Sequence, residues 1–302
     1  MQAGERHGRG APPHPALRRL RILSHPFHNG LEGVGMGAGP SSLSGDPELA
    51  RELREAGVAF ETETIEAPPP ADPEIVRIAE GDRRLARRVR AAVEEGAFPL
   101  VLAGNCNSCL GTVAGVDPGA APLGVVWFDA HPDFDTPDRS LGFFDGMGLA
   151  ILTGNGWELL RSTIPGFRAV AERHVVLVGV RDVEPHQRAP LDASELRVLA
   201  GRDFTAAELA AALDALRRSV PRVYLHVDLD SLDPSEGRAN RFAADGGLSL
   251  AQLEEAIELV FARFEVVAAA LTAYDPEVDE DGRMAVSARA VLGAVARRAL
   301  AG

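Results

Sequence analysis

The sequence contains no lysine; all 31 of its strongly basic residues are arginine. That absence rules out Schiff-base chemistry, including a pyridoxal-phosphate lysine, and a P-loop, whose Gly-Lys-Ser/Thr needs the ammonium. Only two cysteines occur, Cys106 and Cys109. So close a pair is no disulfide framework. No apolar run approaches the roughly 18 residues that a membrane span requires. Residues 1–19 are rich in Gly, Pro, His and Arg but lack a hydrophobic segment. They are expected to form a disordered tail rather than a secretory signal, with the cytoplasm as the compartment. A formal net charge of -13 without any basic run argues against nucleic acid as a partner.

What remains is a chain of 302 residues, 46% hydrophobic, long enough to bury a substantial core. Apolar strand-like runs recur near residues 20–24, 58–64, 98–103, 123–128, 174–180, 197–199, 222–228 and 264–272. Helical patterns fill most of the intervals, the clearest near 46–56, 73–95, 206–219, 249–263 and 284–300. Strands alternating with helices, and apolar on both faces, predict an α/β fold with a parallel sheet covered on both sides. No Pro/Ser linker divides the chain, so residues 20–302 are expected to form a single domain.

Two strands end in acids. The run 123–128 leads into Asp129-Ala-His-Pro-Asp-Phe-Asp135, and Val223-Tyr-Leu-His-Val-Asp-Leu-Asp230 ends the same way. A two-residue period places Asp129, His131 and Asp133 on one side of an extended backbone, and His226, Asp228 and Asp230 on one side of another. Carboxylates aimed together from buried strands need a positive partner. Oxygen ligands with one imidazole suit a divalent ion such as Mn²⁺, and less often Zn²⁺ or Fe²⁺. In parallel α/β sheets ligands bind beyond the carboxyl ends of the strands, where both clusters lie.

These residues resemble the ureohydrolase family, which includes arginase, agmatinase and formimidoylglutamase. Asp129-Ala-His-Pro-Asp133 is similar to its Asp-Ala-His-x-Asp signature, and His226-Val-Asp-Leu-Asp-Ser-Leu-Asp-Pro234 to its Ser-x-Asp-x-Asp-x-x-Asp-Pro signature. Gly104-Asn-Cys-Asn-Ser108 stands where the family has Gly-Gly-Asp-His-Ser, with Gly39-Pro40 and Asp245-Gly-Gly-Leu-Ser249 as supporting matches. The resemblance implies a three-layer α/β/α sandwich, a small-molecule substrate, a homo-oligomer, and two Mn²⁺ ions per chain. By it, Asp129 and Asp228 bridge both ions, His131 and Asp230 complete the second, and Asp133 joins the first. It further implies a metal-bridging hydroxide that cleaves a C–N bond in a guanidino, amidino or formimino compound, releasing urea or a related amide.

The chain departs from the family at three places. Asn107 replaces a histidine ligand of the first ion, which should weaken that ion. Asp145 stands where the family has a proton-shuttling histidine. In Thr272-Ala-Tyr-Asp-Pro-Glu277, Ala273 stands where a glutamate grips the guanidinium. Asp135, Asp275 and Glu277 are therefore the candidate substrate-binding residues. His226, where the family has a small serine, is expected to contact the ligands rather than an ion. Two other readings of the family resemblance are a mononuclear deacetylase-like amidohydrolase and a non-catalytic subunit or binding module. Cys106-Asn-Ser-Cys109 also fits a redox C-x-x-C pattern.

Overall fold

A computed structural model describes residues 19–116, 122–138 and 143–301. All but the last residue of the expected N-terminal tail lies outside the described residues; Arg19 already belongs to the first strand. The strands are β1 (Arg19–His25), β2 (Phe27–His28), β3 (Leu31–Glu32), β4 (Phe60–Thr64), β5 (Ala97–Ala103), β6 (Leu123–Phe128), β7 (Val175–Val178), β8 (Arg197–Leu199), β9 (Arg222–Asp228) and β10 (Glu265–Thr272). β2 and β3 pair as a small hairpin; the other eight form one sheet in the order β4-β1-β5-β10-β9-β6-β7-β8. Every pairing in that sheet is parallel.

Helices cover both faces. On one side lie α1 (Gly39–Ser44), α2 (Pro47–Glu55), α8 (Ala206–Arg217), α9 (Leu250–Phe261) and α10 (Arg283–Leu300). On the other lie α3 (Glu74–Glu94), α4 (Cys109–Gly115), α5 (Gly148–Leu152), α6 (Glu158–Ser162) and α7 (Pro185–Ala193). Strand alternation divides the central residues between the two cores: Val223, Leu225 and Val227 of β9 join the first, and Tyr224 the second. This is the three-layer α/β/α sandwich expected from the sequence. Among the described residues, no helix is long and apolar enough to cross a membrane.

Two helices escape a reading of periodicity. α1 lies within a stretch whose glycines read as loop. α7 carries Pro190 in its interior, which argues against a helix. It forms because Pro185 fits the first turn and Glu184 and Gln187 make a reciprocal capping box.

Near the carboxyl ends of β1, β5 and β10 the backbone is packed too closely for side chains. A Cβ at Gly39 would lie 2.1 Å from the Tyr274 carbonyl oxygen, and one at Gly104 would lie 2.4 Å from that of Phe27. The start of α1 is thereby pressed onto the segment that follows β10. Gly39→Ala is expected to lower unfolding stability by about 1–3 kcal/mol, the usual cost of overpacking a close contact. An unchanged urea midpoint would show that this contact is not tight.

Candidate metal centre

The strand ends β6, β9, β5 and β10, adjacent at the middle of the sheet, deliver the site. Asp129 follows β6 directly and is 1% exposed. One oxygen accepts the Trp127 indole N–H at 2.9 Å and the other the His131 backbone N–H at 2.7 Å. Asp228 ends β9; its Oδ1 accepts the Asp230 backbone N–H at 2.8 Å. Asp230, on the one-turn helix Leu229–Ser231, accepts from the Ala130 N–H at 3.2 Å and from Asn240 Nδ2 at 3.1 Å. The aspartates are thus positioned by backbone and side-chain donors before any ion is considered.

Two groups of potential ligands result. Asp129, His131 and Asp230 offer atoms within 4.8 Å of one another, and so do Cys106, Asp129 and Asp228. Asp129 belongs to both. His131 Nδ1 lies 3.3 Å from Asp129 and 3.4 Å from Asp230. Asp133, with a left-handed backbone (φ 46°), is buried, and its Oδ2 has no hydrogen-bond partner. An orphaned carboxylate oxygen beside these donors is what a cation-binding site leaves when read from the protein alone. The residues fit divalent cations.

The electrostatics agree. Burial, reinforced by the neighbouring carboxylates, pushes Asp129, Asp133 and Asp228 above the usual range. Burial would depress His131, but Asp230 and Asp129 overcome it and push the imidazole up to about 12. Burial would likewise raise Asp230, yet His131 and Asn240 hold it well below the ordinary carboxylate value. In the protein alone an imidazolium does the work of a cation.

A cavity of about 590 Å³ opens onto this cluster. Its lining includes Cys106, His131, Asp133, Asp135, Asp145, Asp228, Asp230 and Ala273, with Met36, Phe143 and Phe242 as apolar walls. Asp145 is buried and accepts hydrogen bonds from the Cys106 backbone N–H at 2.7 Å and from Asn105 Nδ2. Burial outweighs these donors and lifts its carboxyl to about 7. Asp135 also lines the cavity, but α7 occupies it: Gln187 Nε2 donates to it at 3.0 Å, and His186 Nε2 lies 3.2 Å from its other oxygen.

Three expectations need correction. Asn107 is buried yet does not line the cavity; Cys106, one residue earlier, does. Both lie on a one-turn 3₁₀ helix, Cys106–Ser108, where neighbouring side chains point about 120° apart. Asp275 and Glu277 face an adjoining pocket of about 280 Å³, shared with His28 and Arg241, and Met36 and Phe242 stand between it and the main cavity, lining both. The left-handed backbone at Ala273 (φ 64°) and the Asp275 N–H bond to Ala239 (2.8 Å) turn this segment aside. His226 is fully buried and stacks on Trp127 with ring centroids 3.5 Å apart. Among the described residues His226 makes no direct hydrogen bond to a candidate ligand and reaches one through an intermediary.

That intermediary is Thr272. Tyr224 Oη lies 2.8 Å from His226 Nδ1, His226 Nε2 lies 3.3 Å from Thr272 Oγ1, and Thr272 Oγ1 lies 3.2 Å from Cys106 Sγ and 3.4 Å from Asp228 Oδ2. Burial lowers the His226 pKa to about 3, so the ring is neutral. If Tyr224 donates to Nδ1, the neutral ring carries its proton on Nε2 and donates to Thr272. Sequence reasoning missed Cys106 as a cavity residue, Thr272 and Asn240. Asn240 sits in an irregular loop, and nothing in its local pattern marks it.

Solved structures and sequences supply the context. The chain is 30% identical over 224 residues to an arginase of Bacillus caldovelox, covering 72% of this chain and 75% of that protein. It superposes on the crystal structure of arginase from Bacillus subtilis with a TM-score of 0.82 at 26% identity, covering 92% of this chain and 98% of that one. A Bacillus subtilis formimidoylglutamase shares the fold, with a TM-score of 0.71 at 17% identity over 93% of this chain and 86% of that one. The arginase family profile matches residues 18–296, and the chain belongs to that family.

Proposed function

We propose that this protein is a metal-dependent hydrolase that cleaves a C–N bond in a small cationic guanidino, amidino or formimino compound. The observation that carries the reading is the pair of three-donor groups sharing Asp129 at the base of one cavity. Two groups favour a dinuclear centre over a mononuclear deacetylase-like one. Asp129 and Asp228 would serve both ions, His131 and Asp230 one, and Asp133 the other. When bound, paired divalent cations such as Mn²⁺ make a water nucleophilic near neutral pH and polarise the carbon under attack.

The chain's own residues supply the rest. Seven carboxylates line the cavity, from Asp133 to Asp230, and no arginine does so among the described residues. Acids beyond those needed for metal favour a cationic substrate. Met36, Phe143 and Phe242 give the cavity apolar walls against which the hydrocarbon part of a substrate can pack. Asp145, titrating near neutrality within the cavity, can hold a proton and deliver it to the departing nitrogen. Ala273 leaves open the position of a guanidinium-gripping glutamate, so the outlying part of the substrate must rely on the other acids of the cavity, Asp182 and Glu184 among them, and on its walls.

Release of urea or ammonia should be measured across guanidino, amidino and formimino compounds with Mn²⁺ added. At least one member of the panel should be turned over, with loss of turnover on chelation. Chelator-insensitive turnover, or none by metal-loaded protein, would overturn the reading.

A second expectation follows from linkage. Without metal, Asp129, Asp133, Asp228 and Asp145 titrate above the ordinary value of about 3.9 that they take when unfolded. The folded chain then holds protons that the unfolded chain has lost. The stability from these groups is complete below that value and falls as pH rises through the folded values. Divalent ions must displace these protons and that on His131, so they bind more tightly as pH rises. The Tm increase on adding Mn²⁺ should therefore be larger near pH 8 than near pH 5. An equal or smaller increase near pH 8 would contradict this protonation scheme.

A further inference from the structure

Cys106 lines the cavity but has no part in the proposed chemistry. It opens the one-turn helix after β5, is 2% exposed, and places Sγ 2.9 Å from Asp228 Oδ2. Cysteine is often buried as a small apolar residue, and burial alone says nothing of metal. Here the sulfur packs against the apolar core on one side, and on the other it rests on the Asp228 carboxylate. Its sulfur and the carboxylates of Asp129 and Asp228 lie within 4.8 Å of one another, close enough to share one ion. An independent observation points to a ligand at the same place. Asp133 is 7% exposed, lines the cavity with Cys106, and has a buried Oδ2 without any partner.

We infer that Cys106 is a thiolate ligand of one of the two ions, together with Asp129, Asp228 and Asp133. The inference rests on the reading that the carboxylates hold divalent cations. On binding, a sulfur–metal bond forms in place of the S–H bond, and the proton leaves to solvent. Asp228 Oδ2, which accepts the S–H in the protein alone, is freed to become a ligand. Thr272, 3.2 Å from the sulfur, can then turn its hydroxyl toward the thiolate because His226 supplies a donor to its oxygen. With Nδ1 of His226 accepting from Tyr224, the three residues form a donor chain whose last proton, on Thr272, goes to the sulfur or to Asp228, and such partners fix ligand orientation. This gives the histidine at position 226 a purpose that packing alone does not.

Thiolate is soft, so this half of the centre selects Zn²⁺ or Co²⁺ over Mn²⁺, while the half built from Asp129, His131 and Asp230 accepts harder ions. The two ions of one chain are then chemically different.

X-ray absorption at the zinc edge of the full-length protein loaded with Zn²⁺ alone tests this. A sulfur shell at about 2.3 Å is expected, and it should vanish in Cys106→Ser but persist in Cys109→Ser. In competition dialysis, Cys106→Ser should lose Zn²⁺ affinity at this site by at least about tenfold, with a smaller change for Mn²⁺. If the serine variant does not fold, the unmodified protein's spectrum decides alone. Bound zinc surrounded only by nitrogen and oxygen would overturn the cysteine assignment and leave the carboxylate centre standing. A sulfur shell lost in Cys109→Ser would also overturn it. A chain that binds neither Zn²⁺ nor Mn²⁺ would overturn both.

Discussion

The structure depends on one electrostatic constraint: Asp129, Asp133, Asp228 and Asp230 are all at least nine-tenths buried and cluster at the carboxyl ends of two adjacent strands. Ionised together, they repel one another in a medium that screens poorly, and burying unpaired charge is costly. The protein alone answers with protons on some of these groups and an imidazolium at His131. Divalent cations would answer it better, because each would meet several carboxylates at once and free the imidazole to act as a ligand. Fold and chemistry meet here, since the sheet determines which carboxylates are forced together.

The surroundings maintain that geometry. Trp127, from the neighbouring strand position, holds one oxygen of Asp129 and stacks on His226. Arg181 stitches the loop beyond β9, donating to the carbonyls of Asp230, Leu232 and Ala244 at 2.7–3.2 Å. Asn240 joins Asp230 to the Ala273 carbonyl, tying the carboxylate cluster to the turn that follows β10. A polar group buried with its partners present orients its neighbours; one left without them would only cost stability.

The parts of this centre set by strand geometry were legible in the sequence. Alternation along β6 and β9 is rigid enough to bring Asp129 and Asp228 to one place from about a hundred residues apart, and both line up at adjacent strand ends. Where the backbone leaves the strand, the period is lost. A one-turn 3₁₀ helix exchanges Cys106 for Asn107 at the cavity, and a left-handed residue at Ala273 turns Asp275 and Glu277 into another pocket. α7 was hidden by its prolines, although its capping residues Glu184 and Gln187 are present in the sequence. Asn240 could not have been found by pattern, because its partners Asp230 and Ala273 are neighbours only after folding.

On the proposed reading Asp129 and Asp228 serve both ions, so the two ions stand or fall together. Metal analysis after exhaustive dialysis tests it most directly, comparing the unmodified protein with Asp228→Asn and checking by circular dichroism that both are folded. Two ions per chain are predicted for the unmodified protein, and loss of both in the folded variant. A folded Asp228→Asn chain that kept its full metal content would contradict the shared centre.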